Sequence, residues 1–134
     1  MAGQEPRKEL MTKAATISLM TIRIMGMLLL ILGMLFWTGR ALALVHLHML
    51  MGFLLVCCSW FLGKLLIRAK VHQGLAMVNI VWGALLLAVG IAQLFWTPGG
   101  ERWIIQTVHA VMGLGALALA EIVAGRLKRS ARGA

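Results

Sequence analysis

The segment Ala41–Leu66 reads ALALVHLHMLMGFLLVCCSWFLGKLL and contains a single formally charged residue, Lys64. A helix needs about 20 mostly apolar residues to cross roughly 30 Å of hydrocarbon, and this segment is longer than that. Three other segments of the chain have the same character. The four predicted spans are about 17–37, 41–66, 74–96 and 103–123. The sequence therefore predicts an all-α integral membrane protein, a four-helix bundle whose spans run alternately up and down.

The composition agrees with this class. The chain has 134 residues, of which 61% are hydrophobic and 13% charged, and its mean hydropathy is +0.92. A soluble domain has about 45–50% apolar and about 25% charged residues. We expect three parts: a polar N-terminal segment at 1–16, which does not read as a cleaved signal peptide, the bundle at 17–125, and a basic tail at 126–134.

The net charge of +9 is distributed unevenly between the two sides of the predicted bundle. One side has only Arg40, Arg102 and the acidic Glu101. The other side has ten basic residues: Arg7, Lys8, Lys13, Lys64, Arg68, Lys70, Arg126, Lys128, Arg129 and Arg132. Positive residues stay on the cytoplasmic side, so the pattern predicts a multi-pass membrane protein with both termini cytoplasmic. The basic tail is expected to contact anionic headgroups of the lipid bilayer, and a nucleic-acid partner is not expected.

The two halves of the chain match each other. GMLLLILGMLFWT at 26–38 matches GALLLAVGIAQLFWT at 83–97, and HMLMG beginning at His48 matches HAVMG beginning at His109. Each half is a helical hairpin that enters and leaves on the same side. The sequence therefore predicts two parallel repeats, related by a pseudo-twofold axis along the membrane normal.

Histidine occupies equivalent positions in the second and fourth spans. At a rise of 1.5 Å per residue, His48 and His109 both lie about 10 Å below the outer boundary. Two imidazoles at one depth on helices related by a pseudo-twofold axis can face each other, and b-type haem accepts two axial histidines. His46 lies two positions from His48, on the opposite helix face, and is the alternative ligand.

Glycine and arginine accompany each histidine. Gly52 and Gly113 lie one turn beyond His48 and His109 on the same helix face, where the missing Cβ leaves room for a flat macrocycle edge. Arg40 and Arg102 precede the histidines, and their guanidinium groups are predicted to donate to haem propionates.

Glu121 is the only acidic residue inside a predicted span. A carboxylate in hydrocarbon normally pairs with a base or faces a wet cavity. We expect Glu121 to pair with Arg23 or Lys64. The alternative is a proton path or a quinone headgroup site on the cytoplasmic side, with Asn79 as a helper, since an amide can donate and accept in a quinone contact or an interhelical contact.

The topology and the paired H-x-x-M-G motifs make the chain similar to the small bacterial four-helix membrane cytochromes of b type. The resemblance covers all four spans and implies that His48 and His109 are axial haem ligands. It further implies electron transfer between quinol and a partner at the outer face. Members of this group often bind two haems, whereas this chain has no second histidine pair on the inner side.

Two other classes remain open. The chain could be a structural or pigment-binding small subunit of a larger respiratory or photosynthetic membrane complex, with a chlorophyll-type pigment or no cofactor. A small four-span transporter is less favoured, because such proteins carry an acid in the first span, where this chain has Arg23. Hydrolytic catalysis is not expected, since the chain has no Ser-His-Asp set, no paired carboxylates and no zinc-type Cys/His spacing.

Overall fold

The computed structural model describes residues 4–95 and 101–132, and the regular structure within these ranges is entirely helical. Each of the four helices is long and apolar enough to cross a membrane, as expected. They are α1 (Gln4–Trp37), α2 (Val45–Arg68), α3 (Gln73–Phe95) and α4 (Arg102–Arg132), and a 3-10 turn at Leu42–Leu44 precedes α2. Trp96, counted at the end of the third predicted span, lies outside the described residues.

The helices form one bundle. Both α1 and α3 pack against α2 and α4, and α2 and α4 also meet across the bundle. Large apolar side chains cover much of the outside, including Phe53, Phe61, Phe95 and Trp103. The predicted all-α four-helix bundle is therefore confirmed.

The first and last helices extend beyond the predicted spans. The polar segment at 4–16 is helical and continuous with α1, and the basic tail continues α4 as far as Arg132. In the polar segment Glu9 and Lys13 pair one turn apart, with 2.7 Å between Oε1 and Nζ. Such pairs stabilise an exposed helix by a few tenths of a kcal/mol.

The two described turns end their helices in the same way. After α1, the N–H of Arg40 bonds the carbonyl of Leu35 at 2.8 Å, around Gly39 with a positive φ of 73°. After α2, the N–H of Val71 bonds the carbonyl of Leu66 at 3.3 Å, around Lys70 with a φ of 56°. Both are Schellman caps, a motif that favours glycine at the left-handed position.

The core is concentrated at the end of the bundle that carries the α2–α3 turn. The largest fully buried side chains are Ile22, Val56, Leu62, Leu66, Asn79 and Val123. At the other end, no described side chain in 27–54 or 87–115 is fully buried. The histidines lie in this second, loosely packed half.

Two tryptophans link neighbouring helices through their indole nitrogens. Trp60 of α2 donates to the carbonyl of Ile80 in α3 at 2.9 Å. Trp82 of α3 donates to the carbonyl of Met112 in α4 at 2.9 Å. A partly buried indole N–H thereby gains a partner on a carbonyl of the adjacent helix.

Candidate functional site

His48 of α2 and His109 of α4 face each other across the bundle. Their ring centroids are 6.4 Å apart and the ring planes are tilted by 52°. The two residues come together because α2 and α4 are diagonal neighbours and the histidines lie at similar depth. The sequence-based prediction that these two imidazoles meet is confirmed.

Both imidazoles are incompletely satisfied. The Nδ1 atoms of His48 and His109 are buried and have no hydrogen-bond partner among the described residues. A buried polar atom without a partner costs about 1–3 kcal/mol. Such atoms are rare in native proteins and call for a specific explanation. Both such atoms belong to one ring pair, so this pair is the place among the described residues where buried nitrogens still lack a partner.

The neighbouring helices hold each ring. Phe36 of α1 contacts His48 edge-on, with centroids 5.3 Å apart and planes at 67°. His109 lies against α3 at Gly90, where an added Cβ would come within 3.1 Å of the His109 Cε1. Sequence reasoning missed both contacts. Phe36 and Gly90 do stand in the two matched segments, which is the one signal that singled out this part of α1 and α3.

Gly52 and Gly113 differ from the packing glycines of the bundle. A Cβ built on either would meet no atom within 4 Å, whereas a Cβ on Gly115 would lie 2.7 Å from the Trp82 ring. Glycine in a membrane helix usually permits close helix approach. That explanation fits Gly115, but it does not fit Gly52 or Gly113.

The remaining predicted site residues lie at the same end of the bundle and are exposed. Arg40 lies in the α1–α2 loop and Arg102 begins α4, and neither forms an ion pair within the described ranges. Their contact with a ligand stays a prediction. His46 is exposed and His48 is partly buried, so the two imidazoles lie on different faces of α2, as expected.

The ligand chemistry of the histidine pair is restricted. The part of the chain that the structure describes contains no group of three or more His, Cys, Asp or Glu side chains that could hold a metal ion. A protein-bound zinc ion takes three or four such ligands. A haem iron needs only two, because the macrocycle supplies the others. The haem held by His48 and His109 stays a prediction.

Glu121 pairs with Arg23, which is one of the two partners predicted for it. Arg23 Nη2 donates to Glu121 Oε2 at 2.8 Å, and Arg23 Nε donates to Glu121 Oε1. The pair joins α1 to α4, and about half of each side chain is exposed (51% and 43%). The predicted pairing is confirmed with Arg23.

The side-chain amide of Asn79 forms its hydrogen bonds between α2 and α3, away from the Arg23–Glu121 pair. It is buried between α2 and α3, where its Oδ1 accepts from Ser59 Oγ at 2.9 Å and its Nδ2 donates to the Ser59 carbonyl at 2.7 Å. These bonds use the amide to join two helices. The interhelical contact expected for this amide is therefore confirmed, and its help to a quinone or proton site stays a prediction.

Comparison with protein families, with curated proteins and with solved structures finds no match to the chain. The resemblance to four-helix b-type cytochromes therefore rests on the topology and the paired motifs.

Proposed function

We propose that the protein is a membrane cytochrome, or the haem-bearing subunit of a larger membrane complex. In this proposal His48 and His109 hold one haem b, and electrons pass between quinol or a neighbouring cofactor and a partner at the outer face. The observation that carries the proposal is the separation of 6.4 Å between the two imidazole centroids.

That separation agrees with one metal atom between two imidazoles. A metal–imidazole bond is about 2 Å long, and with a ring radius of roughly 1.1 Å on either side the two centroids stand about 6.3 Å apart. The rings need no rearrangement of α2 or α4 to reach this spacing. A metal bound through the two unpaired Nδ1 atoms would also remove their desolvation cost.

The surrounding residues have distinct parts in this proposal. Phe36 and Gly90 fix the two ring planes from α1 and α3. Gly52 and Gly113 keep the space beside the histidines free of side-chain atoms. Arg40 and Arg102 supply positive donors toward carboxylates at the outer end. A haem held here supplies one-electron transfer between ferric and ferrous iron.

The proposal places the four helices across the bacterial inner membrane, with both termini in the cytoplasm. Four long apolar helices and an apolar exterior support insertion, and the basic residues support the orientation. In a variant whose cysteines Cys57 and Cys58 are replaced by alanine, a single cysteine at Glu101 should react with a membrane-impermeant maleimide from the periplasm. A cysteine at Gln73 should react only after the membrane is opened, and the reverse pattern would overturn the orientation.

The proposal also includes the duplication of the hairpin. An added Cβ on Gly26 of α1 would meet Leu117 of α4, and one on the matched Gly83 of α3 would meet Val56 of α2. Leu117 and Val56 stand at the same offset from His109 and His48. Equivalent contacts at equivalent positions support a pseudo-twofold relation between the hairpins.

An optical spectrum of the purified protein tests the haem. We expect a low-spin b-type spectrum that is lost in His48→Ala and in His109→Ala, because a six-coordinate iron needs both ligands. His46→Ala is the matched control on α2 and should leave the spectrum unchanged. A spectrum kept in His48→Ala and lost in His46→Ala would exchange the ligand assignment. A protein that contains no tetrapyrrole, alone or in its complex, would leave the structural-subunit alternative.

The glycines allow a test that leaves both ligands in place. Gly52→Leu and Gly113→Leu should fold, because nothing stands within 4 Å of the new Cβ, yet they should reduce haem content by steric exclusion. Gly125→Leu is the control, since its Cβ is equally unobstructed and it lies about 24 Å from His109 along α4. Normal haem content in all three variants would exclude a macrocycle beside Gly52 and Gly113.

A further inference from the structure

A cleft of about 370 Å³ opens on the outside of the bundle between α1 and α4. Arg23 and Glu121 line it together with apolar side chains, which include Leu19, Met27, Leu30 and Leu117. The cleft is separate from the histidine pair, because Glu121 follows His109 by about 18 Å along α4. The lining of the cleft is therefore apolar except for one ion pair.

The ion pair in this cleft retains hydrogen-bonding capacity. Arg23 uses Nε and Nη2 to bind Glu121, and its Nη1 has no partner among the described residues. Each carboxylate oxygen of Glu121 accepts one of these bonds and has a further lone pair. A positively charged hydrogen-bond donor and a negatively charged hydrogen-bond acceptor are thus available side by side.

The polar and apolar parts of the cleft are arranged along the helix axis. Met27 and Leu30 lie about one and two turns from Arg23 towards the histidine end. Glu121 lies about 27 Å from Trp103 along α4, which places the ion pair close to the inner edge of a hydrocarbon core of roughly 30 Å. A molecule with its polar head at the ion pair would therefore extend its apolar part towards the membrane centre.

We propose that this cleft binds one phospholipid with a zwitterionic headgroup that carries a primary ammonium, as in phosphatidylethanolamine. Its phosphate oxygens accept from Arg23, its ammonium donates to Glu121, and one acyl chain lies along Met27, Leu30 and Leu117. The two charges of the headgroup match the two charges of the pair, whereas an anionic headgroup would meet the Glu121 carboxylate. The inner-leaflet position rests on the membrane orientation in the proposed function, but binding does not depend on the haem.

Native mass spectrometry of the full-length protein in detergent tests the site. The protein is titrated with phosphatidylethanolamine, phosphatidylcholine and phosphatidylglycerol of identical acyl chains. We expect the first to bind about tenfold more tightly than phosphatidylcholine, whose trimethylated nitrogen cannot donate a hydrogen bond to Glu121. The double variant Arg23→Leu/Glu121→Leu should lose this preference. Lys64→Gln, which removes an exposed charge from α2, should keep it.

The outcomes separate this site from the haem. Equal binding of the ethanolamine and choline lipids, tighter binding of phosphatidylglycerol, or selectivity retained in the double variant would each overturn the proposal. Displacement of the bound lipid by a short-chain quinone would assign the cleft to quinone and also overturn it. If the double variant does not fold, Glu121→Met replaces it, since it removes the oxygens that accept the ammonium hydrogen bond and should also abolish the preference. If the purified protein contains no haem but still prefers phosphatidylethanolamine, only the cytochrome proposal is disproved and the lipid site stands.

Discussion

The α2–α3 interface and the α1–α4 interface both join one proposed hairpin to the other. The proposed duplication makes them equivalent, yet they are built differently. Both have a glycine at the matched position, Gly83 in α3 and Gly26 in α1. Gly83 faces the indole of Trp60, and Gly26 faces the flexible side chain of Leu117. The close approach of the helices is thus shared, but the side chain that fills the space is rigid in one interface and adaptable in the other.

The polar groups of the two interfaces differ more. Ser59 and Asn79 are 3% and 1% exposed and satisfy each other between α2 and α3. Arg23 and Glu121 join α1 to α4 with about half of each side chain open to the surroundings. Neutral groups that are fully buried serve helix association. Charged groups that stay accessible on an apolar surface are more typical of a binding role.

The largest difference is expected from adding one methyl group at the matched glycines. In Gly83→Ala the new Cβ would lie 2.7 Å from Trp60 Nε1, and the indole cannot retreat without losing its bond to the Ile80 carbonyl. Overpacking of this kind costs about 1–3 kcal/mol of unfolding free energy. In Gly26→Ala the contact is with the end of the Leu117 side chain, which can rotate away. The helix propensity gained by alanine, about 0.8–1.0 kcal/mol, should then offset the cost of moving the Leu117 side chain. The free energy of unfolding should therefore stay nearly unchanged.

Unfolding in detergent mixtures, followed by far-ultraviolet circular dichroism, measures both variants. Gly125→Ala is a control for the propensity effect alone, because its Cβ meets nothing and it lies away from the proposed haem site. Equal losses in Gly83→Ala and Gly26→Ala would remove the distinction between a rigid and an adaptable interface.

A smaller effect is expected from exchanging polar groups between the interfaces. The proposed duplication matches Ser59 with Ala120 and Asn79 with Ile22, and these two apolar residues are also fully buried. Asn79→Ile leaves the hydroxyl and carbonyl of Ser59 without their partner, which should cost about 0.6–2 kcal/mol. Ser59→Ala/Asn79→Ile builds the apolar pair of the other interface here and should recover part of that loss.

The same unfolding measurement tests this exchange. Ser59→Ala alone is the third corner of the cycle, so the coupling between the two positions is obtained directly. A double variant that is less stable than the sum of the single changes would contradict the equivalence of the two interfaces.

Much of the fold could be predicted because it follows from length and apolar character. Runs such as Ala41–Leu66 permit few structures other than a membrane-length helix. Short loops then force neighbouring helices to run antiparallel. The extension of α1 back to Gln4 was not predicted, since polar residues with good helix propensity carry no apolar signal.

The histidine pair and the ion pair were predictable for a different reason. Rare residue types at matched depth have few partners in an apolar bundle. The sequence therefore limited the partner of Glu121 to Arg23 or Lys64, and it placed His48 opposite His109 with His46 as the alternative ligand. The bonds of Ser59, Trp60 and Trp82 were missed, because these residues are compatible with many packing arrangements. A signal existed for one of them: Ser59 lies nine residues before the end of α2 at Arg68, and Asn79 lies six residues after the start of α3 at Gln73. The two depths differ by less than one helical turn, so the hairpin brings these residues close together.

The smallest change in stability is expected when both charges of the α1–α4 interface are removed together. Glu121→Leu alone leaves Arg23 unpaired on an apolar surface, and Arg23→Leu alone leaves the carboxylate, so each single change should lower the unfolding midpoint. Arg23→Leu/Glu121→Leu removes both charges and should be closer to the parent protein than either single variant, because replacing an ion pair by apolar side chains is often neutral. The detergent unfolding midpoints of the four proteins, at constant pH and salt, complete the cycle. Two single losses that simply add in the double variant would mean that the charges act independently. A double variant near the parent would instead show that the pair is dispensable for folding, in contrast to Ser59 and Asn79. The accessible ion pair would then require another explanation, and binding of a zwitterionic headgroup supplies one.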